Sequence, residues 1–133
     1  RQLSRHFRGE LSYLFADSRF STGLRIPQVP RHTGSAQLTF LHKDTLISAG
    51  LRAFSNQFED DLNRFIMGGF ATFQLVARQH IKSGLSVQLA LDNAFNREYV
   101  VGVTAPAGPN LGPLYAIGAP RLWRIGLRWD GRL

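Results

Sequence analysis

The side chains best equipped for chemistry in this chain are carboxylates and guanidiniums. Glu59, Asp60 and Asp61 form its densest acidic run, and adjacent carboxylates offer the oxygen ligands that hard divalent cations take. A solvated loop is the plainer use of such a run, and no metal site is expected there. Positive charge is more abundant. The 16 basic residues include only the lysines Lys43 and Lys82, so almost all of it is arginine, which grips carboxylates in a bidentate fork. Arg52, Arg124 and Arg128 stand inside alternating apolar and polar segments, together with the amides Gln74 and Gln88. There they can meet a carboxylate-bearing ligand, or pair with carboxylates of the protein itself.

Other chemistries lack their residues. The chain has no cysteine, which removes disulfides and thiolate metal sites. His6, His32, His42 and His80 fall in or beside different turns without ligand spacing. No Ser-His-Asp constellation, paired catalytic carboxylates or phosphate loop occurs, and Gly68-Gly69 reads as a turn. Neither catalysis nor a cofactor is expected. The net charge of +7 alone would suggest nucleic acid. However, the arginines are spread from Arg1 to Arg132 instead of clustering on one stripe, so no nucleic-acid partner is expected.

The elements that position these groups follow from period two. A content of 44% hydrophobic residues with 11% aromatic is a folding composition. Six segments put apolar residues on one side and polar residues on the other, as strands do. Phe7, Gly9, Leu11, Tyr13 and Phe15 oppose Arg8, Glu10 and Ser12; Gly34, Ala36, Leu38 and Phe40 oppose Thr33, Ser35, Gln37 and Thr39. Ile47, Ala49, Leu51 and Ala53 oppose Ser48, Gly50 and Arg52, with Phe54 and Phe58 spoiling the polar side; Ala71, Phe73, Leu75 and Ala77 oppose Thr72, Gln74, Val76 and Arg78. Leu85, Val87, Leu89 and Leu91 oppose Ser86, Gln88, Ala90 and Asp92; Trp123, Ile125, Leu127 and Trp129 oppose Leu122, Arg124, Gly126 and Arg128. Helical periodicity is weak, and Phe58 to Phe65 is too short and polar for a helix. The class is all-β, an antiparallel up-and-down meander.

Alternation alone also fits a soluble β-sandwich binding module. Three features favour a membrane barrel. The runs last about nine to twelve residues, enough for a tilted crossing of a bilayer, where soluble strands have about five or six. Tight turns near 42–45 and 81–84 alternate with long connections at 21–32, 59–69 and 100–119, as periplasmic turns alternate with extracellular loops. The polar sides carry charge and amides at mid-strand, which suits a lumen. Six strands leave two unpaired edges, and closed membrane barrels begin at about eight strands. A piece of a larger barrel is therefore expected, a trimeric barrel that pools strands from several chains being the other way to close it, and the opening at Arg1, without Met or leader, fits a fragment.

Several stretches resemble the C-terminal barrel of TonB-dependent outer-membrane receptors. They are Ile26-Pro27-Gln28-Val29-Pro30-Arg31-His32 before a strand, Asn56-Gln57-Phe58-Glu59-Asp60-Asp61 at a strand's outer end, Asp92-Asn93-Ala94-Phe95-Asn96-Arg97-Glu98-Tyr99, and Pro120-Arg121 leading to Gly126-Leu127-Arg128. The run with Asn93, Phe95, Arg97 and Tyr99 is the most specific of them. It departs from the family's usual Asn-Leu-Phe-Asp-Arg-Tyr at Ala94 and Asn96, and the chain ends on Leu133 after Trp129 instead of on an aromatic residue. The resemblance implies that residues 1–133 are the last six strands of a barrel of about 22 strands, with the N-terminal plug and earlier strands outside the chain. It further implies outer-membrane lipid and an energy-transducing TonB complex as partners. The implied function is active uptake of a scarce nutrient such as a ferric siderophore, cobalamin or another chelate. The 93–99 run itself is expected to be structural, with Asn93 and Asn96 turning the chain and Phe95 and Tyr99 at the membrane interface. A different, porin-like outer-membrane barrel is the other membrane reading.

Overall fold

The computed structural model describes residues 1–82, 84–104 and 112–130. Ser83 in the second tight turn, the Pro/Gly-rich stretch 105–111 and the tail 131–133 lie outside the described residues. In chain order the strands are β1 (Phe7–Phe15), β2 (His32–His42), β3 (Thr45–Phe54), β4 (Gln57–Phe58), β5 (Ile66–Met67), β6 (Phe70–His80), β7 (Leu85–Asp92), β8 (Val100–Thr104), β9 (Leu114–Ile117) and β10 (Leu122–Trp129). Six of them form one antiparallel sheet in the order β1-β2-β3-β6-β7-β10. The pairs β4–β5 and β8–β9 are small separate hairpins.

The six long strands match the six alternating segments. The two hairpins interrupt stretches expected as plain loops, because strands of two to five residues are too short to display a period.

Register carries the alternation across the sheet. Leu11 faces Ala36, Ala36 faces Leu51, and Leu51 faces Phe73. Farther along, Leu75 faces Leu91, which faces Trp123, and Ala77 faces Leu89, which faces Ile125. Every hairpin thus keeps apolar residues opposite apolar residues. A slip of one position would invert a whole strand.

Among the described residues nothing covers the resulting apolar face. Leu11 is 86% exposed, Ile125 78% and Leu127 74%, while the buried hydrophobic residues among those described are Met67, Ala90 and Val103. A sandwich needs a second sheet packed on the first at about 10 Å, and the described residues provide none. Among them no helix is long and apolar enough to cross a membrane.

Two glycines separate flexible from rigid crowding. A Cβ at Gly50 would stand 2.8 Å from the Gln74 amide nitrogen, the far end of a side chain that can move. At Gly69 it would stand 2.7 Å from the Phe54 carbonyl oxygen and 3.0 Å from the Asn56 nitrogen, where backbone must yield. Gly69→Ala is therefore expected to lose about 1–3 kcal/mol and Gly50→Ala well under that, as denaturant unfolding of the full-length protein will show.

Candidate functional site

The polar face is built in cross-strand rows. Ser12, Ser35, Arg52 and Thr72 are successive partners in one row, and Glu10, Gln37, Gly50 and Gln74 in the next. Gln37 donates from Nε2 to Ser48 Oγ at 3.1 Å, and Ser48 Oγ lies 3.1 Å from Thr39 Oγ1. Nearer the tight turns, Arg78 faces Gln88, which faces Gly126, and His80 faces Ser86, which faces Arg128. His80 Nδ1 and Ser86 Oγ are 3.1 Å apart.

The candidate residues separate into distinct settings. Arg124 forms an ion pair with Asp92, and Arg128 one with Asp130 at 2.9 Å. Arg8 is held by Glu10 at 2.9 Å. Arg52 and Arg78 have no ion pair among the described residues. Gln74 folds over Gly50. Gln88 stands between Arg78 and Gly126. A groove of about 250 Å³ is lined by Glu10, Ser12, Ser35, Gln37, Arg52 and Gln74. It contains Ser12, Ser35 and Arg52 of the first row, a grouping no single motif in the sequence could mark, because register alone assembles it.

At the other end of the sheet the loops dock on one another. Asn63, at φ 55°, accepts the Arg25 N–H at Oδ1 and donates to the Arg25 carbonyl, both at 2.8 Å. The Gln28 N–H reaches the Phe58 carbonyl at 2.7 Å, and the Arg25 guanidinium lies 5.5 Å from the centre of the Phe58 ring. Below these contacts Met67 is 1% exposed and Val103 6%. The acidic run belongs to this assembly. Asp60 accepts the backbone N–H groups of Arg64 at 2.7 Å and Phe65 at 3.0 Å, and the Arg64 side chain at 2.7 Å. Glu59 accepts from Gln28 at 3.3 Å, and its other carboxylate oxygen is buried without a partner among the described residues. Asp61 is exposed. Among the described residues no group of His, Cys, Asp and Glu could hold a metal ion.

Desolvation acts to raise the pKa of Asp60, but the Arg64 side chain and the two backbone donors outweigh it and hold the carboxyl below its ordinary 3.8. A lowered pKa means that the carboxylate steadies this hairpin fully above the unfolded value and loses that effect as pH falls through the folded one. The Arg64 and Phe65 amide resonances are thus expected to titrate with a midpoint below the ordinary 3.8 of an aspartate, and Asp60→Asn to abolish that titration. An NMR pH series on the full-length protein checks both.

The 93–99 run is a structural hub. Asn93 is 5% exposed at φ 46°. Its Nδ2 donates to the carbonyls of Arg97 at 2.9 Å and Ala119 at 3.0 Å, and its Oδ1 accepts the Arg97 N–H at 2.9 Å. Asn96, at φ 51°, accepts the Arg121 N–H at 2.9 Å. Phe95 is 80% exposed, 5.6 Å from Phe73 of the apolar face. Tyr99 does not share that setting. It stacks at 4.1 Å on Phe70, which itself lies 5.1 Å from Phe54. A Cβ on Gly118 would collide with the Tyr99 ring at 2.1 Å. Phe54 and Phe70 face each other at the end of β3 and β6, so Tyr99 joins an aromatic cluster on the polar side instead of the outward rim.

No family model matches the sequence, nor does any curated protein. Solved structures do match. The ferric yersiniabactin uptake receptor FyuA from Yersinia pestis aligns with 96% of this chain and 21% of its own at 15% identity and TM-score 0.85. The ferripyoverdine receptor of the outer membrane of Pseudomonas aeruginosa aligns with 96% and 18% at 19% identity and TM-score 0.74. The copper transporter OprC aligns with 96% and 22% at 18% identity and TM-score 0.78. The chain spans about a fifth of the length of these structures. It has the fold of a section of an outer-membrane uptake receptor, as the resemblance in its motifs implied.

Proposed function

We propose that this chain is the C-terminal wall section of a TonB-dependent outer-membrane receptor. Its apolar face meets lipid, and its polar face lines a lumen filled by the plug of the same protein. The observation that carries this reading is the pairing of an uncovered apolar face with a polar face of arginines and amides on one sheet, in a chain that superposes on uptake receptors over 96% of its length. On this reading the tight turns lie in the periplasm and the docked loops outside the cell. The remaining strands, the plug and the segment that contacts the energy-transducing complex belong to the rest of the receptor. The cargo is a small metal chelate or another scarce nutrient. Neighbours named for a ferric siderophore and for copper share this fold, so the fold by itself does not choose among them. The role is transport and not catalysis.

The test uses the full-length protein in its own cells. Deleting the gene is expected to abolish energised accumulation of one member of a panel of labelled metal chelates, and the intact gene to restore it. Uptake that persists after the proton gradient is collapsed would instead identify a passive, porin-like barrel. A tag between Lys43 and Asp44 is expected to resist protease added to whole cells, while one between Asp61 and Leu62 is cleaved. The reverse pattern would overturn the orientation.

A further inference from the structure

The arginines at the loop end of the sheet do not share one fate. Arg19 and Arg31 are both held by Asp17, and Arg64 by Asp60. The Arg25 guanidinium donates to the Val29 carbonyl at 3.2 Å and lies over the Phe58 ring. Arg97 and Arg121 differ from these. Both are exposed, and neither side chain has an ion pair or a hydrogen bond among the described residues. Their backbones, by contrast, are tied to one hub. Asn93 accepts the Arg97 N–H and donates to its carbonyl, both at 2.9 Å, and Asn96 accepts the Arg121 N–H at 2.9 Å. Asn93 also donates to the Ala119 carbonyl, so the segments 93–97 and 119–121 lie side by side. Glu98 is the sole acid in 93–99 and 118–123, so two arginines stand against one carboxylate. Each arginine is two residues from an exposed ring on the apolar side. Phe95 lies 5.6 Å from Phe73 of the apolar face, and Trp123 belongs to that face on β10.

We infer that Arg97 and Arg121 together clamp the phosphate of an anionic lipid headgroup in the leaflet at the loop end, with Phe95 and Trp123 beside its acyl chains and Asn93 and Asn96 setting the spacing of the two arginines. The inference rests on the reading that the apolar face meets lipid. Where that face ends, the chain meets headgroups, and the planar guanidinium fork matches phosphate oxygens in a bidentate way. Two such forks on a hydrogen-bonded backbone lose little freedom when they close on one phosphate. Aromatic rings settle at the boundary between hydrocarbon and headgroup. The rings also decide the source of the phosphate: a dissolved phosphate ion would use the arginines and gain nothing from Phe95 or Trp123. The 93–99 run thus holds a ligand site as well as a turn.

Photolabelling tests this in the full-length protein reconstituted in phosphatidylcholine bilayers. The probe is a trace of phosphatidic acid carrying a photoactivatable group at the headgroup end of an acyl chain, and mass spectrometry maps its adducts. The expected result is labelling within 93–99 and 119–123, falling about fivefold for each of Arg97→Gln and Arg121→Gln. Arg64→Gln, whose charge Asp60 already answers, is expected to change nothing. Asn96→Gly keeps both arginines and the left-handed backbone at φ 51° but frees Arg121, and is expected to lower the yield as Arg121→Gln does. Equal labelling by phosphatidylcholine bearing the same group, or an undiminished yield when both arginines are replaced, would overturn the inference. Competition by dissolved glycerol 3-phosphate would overturn the choice of a lipid, whereas labelling that withstands it supports that choice. Failure of the lipid-face reading looks different. A mid-chain probe on phosphatidylcholine labels Leu89 and Ile125 if the apolar face meets lipid, whatever happens at Arg97 and Arg121, and silence there would sink the face assignment instead.

Discussion

With the apolar face in lipid as proposed, Leu89→Arg is expected to destabilise the full-length protein in bilayers by about 2–4 kcal/mol, the range for a guanidinium at mid-depth on the lipid face of a barrel. Gln88→Arg, one residue away, is expected to lose less than about 1 kcal/mol. The contrast comes from register. Leu89 is partnered by Ala77 and Ile125 in the apolar rows, while Gln88 is partnered by Arg78 and Gly126 in the polar ones. Ile125 is 78% exposed, so an arginine beside it has hydrocarbon and no acceptor to meet. At position 88 the new charge stands on the polar face, with a like charge at Arg78 against it. Denaturant titration of the reconstituted receptor measures both, and equal losses would overturn the assignment of faces.

The second large effect is expected at Asn93. Its side chain makes three hydrogen bonds, to the carbonyls of Arg97 and Ala119 and from the Arg97 N–H, in a residue only 5% exposed. Removing the amide leaves three backbone groups short of a partner, at about 1–3 kcal/mol for each that stays dry. Alanine also resists the left-handed backbone at φ 46°, by about 1–2 kcal/mol. Asn93→Ala is thus expected to lose about 3–5 kcal/mol in all. Asn93→Gly separates the two causes, since glycine accepts that backbone freely and should recover only about 1 kcal/mol of the loss. Full recovery by glycine would show that the hydrogen bonds contribute nothing. The readout is again unfolding of the reconstituted protein, with ligand-independent loop protection by hydrogen exchange as a second measure.

The long strands were legible in the sequence because a period of two is a local signal, and one buried or lipid-facing side enforces it over many residues. What was illegible depended on distance along the chain. Arg124 finds Asp92 at a separation of 32 residues and Asn93 finds Ala119 at 26, contacts fixed by register and loop docking that no local pattern carries. The Arg128–Asp130 pair is only two residues apart and was readable, yet a charge beside a strand end looks the same paired or solvated. Tyr99 shows the opposite difficulty. Its residue type suits a membrane rim, but the ring of Phe70, paired with the Phe54 that broke the polar pattern, drew it to the other side. The acidic run was rightly read as loop, but its internal role was hidden: Asp60 spends its oxygens on the hairpin that contains it. The Arg52 row had no signature at all until pairing aligned four strands.

The docked loops bear on how any outside agent would recognise this protein. Arg25 and Asn63 are bound to each other across a separation of 38 residues, and Gln28 is tied to Phe58. In the proposed orientation the outward surface is thus a discontinuous epitope, composed of segments that are neighbours only in the folded chain. Antibodies raised against synthetic peptides covering 20–30 or 58–66 would meet these segments in the wrong shape. Antibodies selected on intact cells should lose their target on a denaturing blot.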